Sequence, residues 1–151
     1  MVRLRELFCT MACICITSTA LPLWAADSGT AKVVSGDVRV ERAGASVPLR
    51  VGDPVQEKDR IVVPAGGSAG ITLRDDTRIS VGPRSTLVIN GFHFDPQTQE
   101  GNVDTSILRG TMRYVTGLVG RLNPNAVRVA TTTATIGIRG TEFIVEIADV
   151  D

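Results

Sequence analysis

The sequence has few of the residues from which catalytic and metal sites are built. Its 151 residues include three cysteines, one histidine and 4% aromatic residues. The cysteines, Cys9, Cys13 and Cys15, all lie near the N-terminus, and the histidine is His93. A nucleophilic triad needs a base, and a zinc site needs several nitrogen or sulfur ligands. No phosphate loop or nucleotide fingerprint is present either. We therefore expect no enzyme, no cofactor and no metal.

An excess of charge of either sign is also missing. The chain has 16 basic and 16 acidic residues, and the two signs are interspersed. Such a balance creates no positive field that would attract DNA, RNA or anionic lipid. We therefore expect no nucleic-acid partner.

The first 26 residues have the pattern of a secretory signal peptide. Two arginines precede an uncharged, largely apolar run over residues 7–23, and the small Ala25 and Ala26 follow. A basic start, an apolar stretch and a small-residue exit are typical of such leaders. An uncleaved membrane anchor is the alternative, although polar residues interrupt the run. We expect a periplasmic protein that meets the membrane only through this leader before cleavage, and a mature part without cysteine.

The rest of the chain shows no sustained helical period. From Lys32 onward, short β-branched runs alternate with turn residues roughly every 8 to 12 positions, a spacing typical of all-β folds. This spacing predicts one all-β domain over residues 33–147, built as a sandwich or jelly-roll-like roll. A short β-solenoid is the alternative, because Gly36, Gly110 and Gly140 each precede a polar residue and a strand.

The clearest predicted hairpin joins residues 69–74 and 77–81 across Asp75 and Asp76. Aspartates suit tight turns, so both are expected to be solvated turn residues rather than an acid–base pair or a calcium site. Farther along, the pattern predicts strands at 105–109 and 111–115, a loop at 117–124, and two final strands at 127–130 and 141–147.

The least patterned stretch runs from Asn90 to Asp104. Phe92 and Phe94 are spaced for one strand face, so His93 is expected on the opposite, exposed face. Asp95 could join His93 as a second metal ligand, but exposure of a lone histidine is the favoured interpretation. Residues 95–102 are predicted to form an exposed excursion.

Four motifs stand in order along the chain and resemble the FecR domain, a periplasmic all-β domain named for an iron-transport signalling regulator. The first three are Gly52-Asp53-x-Val55, Leu73-Arg74-Asp75-Asp76-Thr77-Arg78-Ile79 and Leu108-Arg109-Gly110. The fourth, Thr131-Thr132-Thr133-Ala134-Thr135-Ile136-Gly137-Ile138-Arg139-Gly140-Thr141-Glu142-Phe143, is the most specific. The resemblance covers about Val33 to Val145. The family often has a glycine where Lys58 stands and a proline where Thr132 stands.

The resemblance implies a domain that works in the cell envelope. Signalling regulators of this type also carry a cytoplasmic segment that engages a sigma factor, a membrane span, and a C-terminal portion that meets an outer-membrane transporter. These parts are not recognisable in the printed sequence, so we expect the domain without the sigma-regulatory activity. A component of a sigma/anti-sigma system that acts with separate subunits remains an alternative.

The candidate site is the glycine-containing corner of the fourth motif. It comprises Gly137, Arg139, Gly140 and Thr141. Glycines permit backbone angles and close approaches that a side chain forbids, and a guanidinium can bind a carboxylate bidentately. The corner is expected either to be structural, with Arg139 paired internally, or to sense a small molecule or anion.

The favoured function is that of a periplasmic interaction domain. Its expected partner is a protein or a component of the cell envelope, bound through exposed strands or through the excursion from Phe92 to Asn102. Pairing with an open sheet edge is the expected mode, because such an edge presents a row of backbone donors and acceptors. The sequence does not indicate an oligomeric state.

Overall fold

The computed structural model describes residues 27–138 and 140–147. The predicted signal peptide, residues 1–26, lies outside them. The described residues form a single all-β domain, which confirms the predicted fold class. The strands are β1 (Asp27–Ser35), β2 (Arg39–Arg42), β3 (Ala45–Pro48), β4 (Pro54–Gln56), β5 (Arg60–Val63), β6 (Ser68–Leu73), β7 (Arg78–Val81), β8 (Ser85–Phe94), β9 (Gly101–Val115), β10 (Val127–Ala130), β11 (Thr135–Gly137) and β12 (Glu142–Ile147).

The strands belong to one sheet that curls into a half-barrel. Its main path runs β3-β2-β5-β8-β9-β7-β6-β1-β4. β7 and β8 follow one another along one side of β9, while β10 and β12 pair with its other side and β11 pairs with β10. The pairs are antiparallel except for β9 with β10. The long strand β9 therefore connects every part of the sheet.

β9 is irregular near its middle: its register against β8 shifts between Ile107 and Arg109, and its side-chain alternation changes phase, a feature that we call the bend. Odd-numbered side chains face the core before the bend, and even-numbered ones face it afterwards. The core-facing residues are Val103, Thr105 and Ile107 before the bend, and Met112 and Tyr114 after it; Ser106 is buried as well. The two strands predicted at 105–109 and 111–115 are thus one continuous strand with a bend between them.

Gly110 makes this bend possible. Its φ is 81°, a left-handed conformation that side chains disfavour. A Cβ at this position would overlap the Ser85 hydroxyl and lie 2.8 Å from the carbonyl oxygen of Arg84. The buried Ser85 hydroxyl instead accepts a hydrogen bond from the N–H of Thr111 at 2.9 Å. The Leu108-Arg109-Gly110 motif therefore holds the two halves of the sheet at a fixed bend.

β6 and β7 form the predicted hairpin, but Asp75 is not solvated. Its side chain is 0% exposed, and its carboxylate accepts hydrogen bonds from the Thr77 N–H at 3.1 Å and the Thr77 hydroxyl at 2.8 Å. The Thr77 hydroxyl also accepts from the N–H of Gly117 at 3.1 Å. Asp76 stays exposed at the tip with a φ of 64°. The prediction of two solvated carboxylates is wrong for Asp75, because the segment after β9 covers it.

That segment was expected to be a loop and instead contains a short helix. The helix, α1 (Leu118–Leu122), is followed by a 3-10 turn at Pro124–Ala126. The N–H of Leu118 donates to the carbonyl of Asp75 at 2.7 Å, and Val119 is buried. Five helical residues are too few to show a 3.6-residue period, so the sequence pattern had no means of indicating them.

The core lies inside the curled sheet and is lined by alternate residues of its strands. Its largest fully buried side chains include Ile61, Ile71, Leu73, Ile79, Leu87, Ile89, Ile107, Met112 and Tyr114. Nothing helical within the described ranges has the length and apolar character needed to span a membrane.

An ion pair between the buried Asp59 and the partly exposed Arg42 links the first strands. Asp59 is fully buried and accepts two hydrogen bonds from the Arg42 guanidinium, at 2.7 and 2.6 Å, and one from the N–H of Gln56 at 2.8 Å. Hydrogen bonding to Asp59 is the main reason that the pKa of Arg42 is raised. The preceding residue, Lys58, has a φ of 67°, which explains why a glycine suits this position.

Candidate functional site

The glycine-containing corner connects β11 to β12 at the surface. Gly137 ends β11, and Gly140 and Thr141 immediately precede β12, all three exposed. Arg139 lies outside the described residues, so its role as an internal pair or a ligand group stays a prediction. Gly140 has a φ of 151°, which favours glycine, whereas a Cβ on Gly137 would meet no heavy atom within 4 Å. The backbone thus requires glycine at Gly140 and leaves room for a side chain at Gly137.

A shallow groove runs between the corner and β12. We call it the corner groove; its volume is about 250 Å³ and its lining is Ile136, Gly137, Ile138, Gly140, Glu142, Phe143, Ile144 and Val145. Small-molecule sites usually enclose about 300 to 1,000 Å³. The corner groove is therefore sized for one or two apolar side chains of a partner rather than for a cofactor.

The floor of the corner groove is firmly packed. Ile138 and Val145 are only 6% and 8% exposed, and the Phe143 ring stacks on Tyr114 with centroids 5.0 Å apart. Burial is the main reason that the pKa of Tyr114 is raised; the nearby Thr77 hydroxyl acts in the opposite direction, and the charge of Asp75 adds to the rise. The Tyr114 hydroxyl has no hydrogen-bond partner of good geometry among the described residues. The groove thus rests on the core and does not need a ligand to order it.

β12 presents an open edge beside this groove. It pairs with β9 on one side, and no described strand pairs with its other side. The N–H of Thr116 donates to the carbonyl of Thr141 at 2.8 Å. Because the backbone groups of an antiparallel strand alternate between its two sides, the odd-numbered residues bond to β9. The open side therefore carries the N–H and C=O groups of the even-numbered residues, Glu142, Ile144 and Glu146.

The side chains of β12 alternate in the same way. Phe143, Val145 and Ile147 face the core, while Ile144 is 66% exposed between two glutamates. Glu142 forms an ion pair with Arg113 on β9 at 2.7 Å. That pair is half-exposed, so its contribution to stability is small. An exposed isoleucine on an open edge is the apolar contact that an added strand would cover.

The other edges among the described strands are less suited to pairing. β3 ends in Pro48, β4 begins with Pro54, and β11 has three residues. Proline offers no N–H, and short edges limit strand addition. β12, with six residues and no proline, is the best template for an incoming strand.

The predicted excursion is the tip of the hairpin between β8 and β9. His93 is exposed and Phe92 and Phe94 are buried, as the spacing predicted, and residues 96–100 are exposed. Within residues 27–138 and 140–147, no three His, Cys, Asp or Glu side chains come close enough together to hold a metal ion. Hairpin and corner lie on different parts of the surface and share no lining residue.

Comparison with known proteins identifies a family. The model of the family described as FecR protein matches residues 59–151, more than half of the chain. The matched range includes the last three of the four motifs, which form the β6–β7 hairpin, the bend at Gly110 and the glycine-containing corner. The first motif, Gly52-Asp53-x-Val55, lies before the start of the match. Neither a curated protein nor a solved structure matches the chain significantly. The chain belongs to the FecR family, which confirms the resemblance seen in the motifs.

Proposed function

We propose that this member of the FecR family is an exported, non-enzymatic interaction domain that binds an extended segment of a partner protein at β12. The family is associated with sigma/anti-sigma signalling, where domains act through partners. The observation that carries the proposal is the open edge of β12 beside an apolar groove. A role in envelope signalling with separate subunits would follow if the partner belongs to such a system.

Strand addition suits the geometry of β12. A partner strand would pair with the outward N–H and C=O groups of Glu142, Ile144 and Glu146, which supply affinity without sequence requirements. Side chains of that strand would cover Ile144 and enter the corner groove, which Ile144 itself helps to line. Specificity would come from these pockets, since strand side chains alternate between faces.

Export to the periplasm rests on the leader pattern of residues 1–26 and on the family. FecR domains typically work in the periplasm. The mature part keeps no cysteine, so its folding would not depend on the redox state of the compartment. Mass spectrometry of the protein recovered from periplasm would show a new N-terminus after Ala25 or Ala26, and an intact Met1 would contradict export by cleavage.

The substitution Ile144→Pro tests strand addition. Proline removes the N–H of residue 144, which points to the open side and not to β9. The domain should keep its circular dichroism spectrum and lose at least ten-fold in binding to any partner recovered with the natural sequence. Ile144→Thr is the matched control, since it keeps the N–H and the β-branched shape.

The readout is quantitative pulldown from a periplasmic extract with the natural sequence and the two variants side by side. A partner retained equally by Ile144→Pro and the natural sequence would show that the edge of β12 is not the binding site. Equal loss with Ile144→Thr and Ile144→Pro would indicate that the isoleucine side chain, rather than the backbone edge, makes the contact.

A further inference from the structure

We propose that a second site, the cleft between the β8–β9 hairpin and α1, binds a neutral, polyhydroxylated ligand such as a glycan chain. We call it the hairpin cleft. Its volume is about 710 Å³, and its lining is His93, Asp95, Thr98, Gln99, Glu100, Gly101, Asn102, Val119, Leu122 and Asn123. This volume lies within the range of organic-ligand sites and is far larger than a bound ion needs.

One wall of the cleft is a hairpin tip that its own hydrogen bonds hold in shape. The N–H of Asp95 donates to the carbonyl of Glu100 at 2.9 Å, and the N–H of Gln99 donates to the carbonyl of Asp95 at 2.8 Å. The Asp95 carboxylate accepts the N–H of Gln97 at 2.8 Å. A wall that is already ordered loses little conformational entropy when a ligand binds.

The polar side chains on this wall are available to a ligand. The side chains of His93, Gln99, Glu100 and Asn102 make no hydrogen bond or ion pair within the described residues. Their imidazole, carboxylate and two amide groups can therefore form hydrogen bonds with a ligand. On the opposite wall, Asn123 uses its side-chain oxygen to accept an N–H, which leaves its amide N–H groups for the cleft.

The chemistry of the lining selects among ligand classes. No lysine or arginine lines the cleft, so a phosphate or carboxylate would meet two carboxylates without a countercharge. Seven of the ten lining residues are polar, which disfavours an apolar ligand. Hydroxyl groups both donate and accept, so they satisfy a lining that mixes carboxylates with amides.

The apolar part of the cleft fits the same class. Val119 is buried beneath the cleft, and Leu122, which is 62% exposed, offers an apolar surface beside it. The C–H face of a sugar ring would cover Leu122 while its hydroxyls meet the hairpin wall. The hairpin cleft would then give the domain a contact with envelope polysaccharide that does not involve β12.

The test is an NMR titration of the isotope-labelled mature domain, residues 27–151. The probes are chitotetraose, xylotetraose and maltotetraose as neutral oligosaccharides, and spermidine as a cation. At least one oligosaccharide should cause saturable shifts confined to residues 93–102 and 118–123. Asn102→Ala should weaken that binding about ten-fold, while Gln97→Ala, on the same tip but outside the cleft lining, should leave it unchanged.

Three results would overturn the inference. The first is that none of the oligosaccharides causes a saturable shift at the cleft. The second is that spermidine binds there and the oligosaccharides do not, and the third is that Asn102→Ala and Gln97→Ala bind the oligosaccharide equally well. Ile144→Pro should bind the oligosaccharide as the natural sequence does. The inference about the hairpin cleft and the proposed strand addition at β12 can therefore fail separately.

Discussion

The bend at Gly110 and the open edge of β12 are neighbours, since Gly110 pairs with Ile147. They differ in whether their backbone N–H and C=O groups have hydrogen-bond partners within the protein. At the bend, the Ser85 hydroxyl satisfies the Thr111 N–H inside the protein. Along β12, the outward N–H and C=O groups have no partner strand among the described residues. The first region closes the fold, and the second leaves it open to another molecule.

The comparison shows that family motifs do not all have the same purpose. The bend and the Asp75 hairpin are buried and hydrogen-bonded, so their residues are explained by the fold. The corner motif ends in an exposed edge, and the fold requires a glycine at Gly140 but not at Gly137. The fold explains the bend fully and the corner only in part, and the following substitutions test that division.

The largest effect is expected for Gly110→Ala. The added methyl would overlap Ser85 and force a strained φ, so the free energy of unfolding should fall by about 3 kcal/mol. Gly44→Ala is the matched control, because Gly44 has the same φ of 81° and no heavy atom within 4 Å of its Cβ position. It should cost about 1 kcal/mol in urea denaturation. Equal losses would mean that strain alone, without overlap, explains the bend.

Asp75→Ala should come next. It removes the acceptors of both the Thr77 N–H and the Thr77 hydroxyl hydrogen and leaves these two buried donors without acceptors, which costs about 2 to 3 kcal/mol. The control on the same hairpin, Asp76→Asn, keeps a residue that tolerates positive φ and should change stability by less than about 0.5 kcal/mol. Thermal unfolding of both variants measures the difference. Similar values would contradict the buried role of Asp75.

Tyr114→Phe should change how stability depends on pH. Burial raises the pKa of Tyr114 in the folded state, while in the unfolded state it titrates near pH 10. The part of the folding stability that depends on a neutral Tyr114 is therefore fully present below about pH 10. It is lost as pH rises further, at up to about 1.4 kcal/mol per pH unit. Tyr114 is the chain's single tyrosine, so above pH 10 the stability of the variant should fall less steeply with rising pH than that of the natural domain. Parallel urea titrations from pH 8 to 11 would show this, and identical slopes would contradict it.

The smallest effects are expected at the corner. Gly140→Ala should cost about 1 kcal/mol because of its positive φ, whereas Gly137→Ala should stay within about 0.5 kcal/mol of the natural sequence. Denaturant unfolding of the two variants gives the comparison directly. A large loss for Gly137→Ala would show that the corner is closed and packed like the bend.

Local pattern predicted the elements whose partners are close in the chain. The alternation of Ile71 and Leu73 with Ile79 and Val81 was enough to predict the β6–β7 hairpin, because turn and strands lie within a few residues. The exposure of His93 followed from the burial of its two phenylalanine neighbours. Asp75 was assigned wrongly because the segment that buries it, near Gly117, lies about 40 residues away.

The candidate site was predictable in position but not in character. The spacing of Gly137 and Gly140 located the corner, and the loss of pattern after Phe94 located the hairpin tip. Neither indicated that α1 would face that tip across a cleft, or that β12 would stand at an edge. A strand at an edge and a strand in the middle of a sheet carry similar alternation, so periodicity cannot separate them.

The amino-acid sequence by itself determined the all-β class, the local hairpins and the position of the glycine-containing corner. These features depend on side-chain alternation and on backbone sterics within a few residues. The curled sheet decided which backbone groups are paired and which are left open. Thr77, Ser85 and the outward groups of β12 acquire their roles through long-range pairing, which exists only once the sheet has closed around its core.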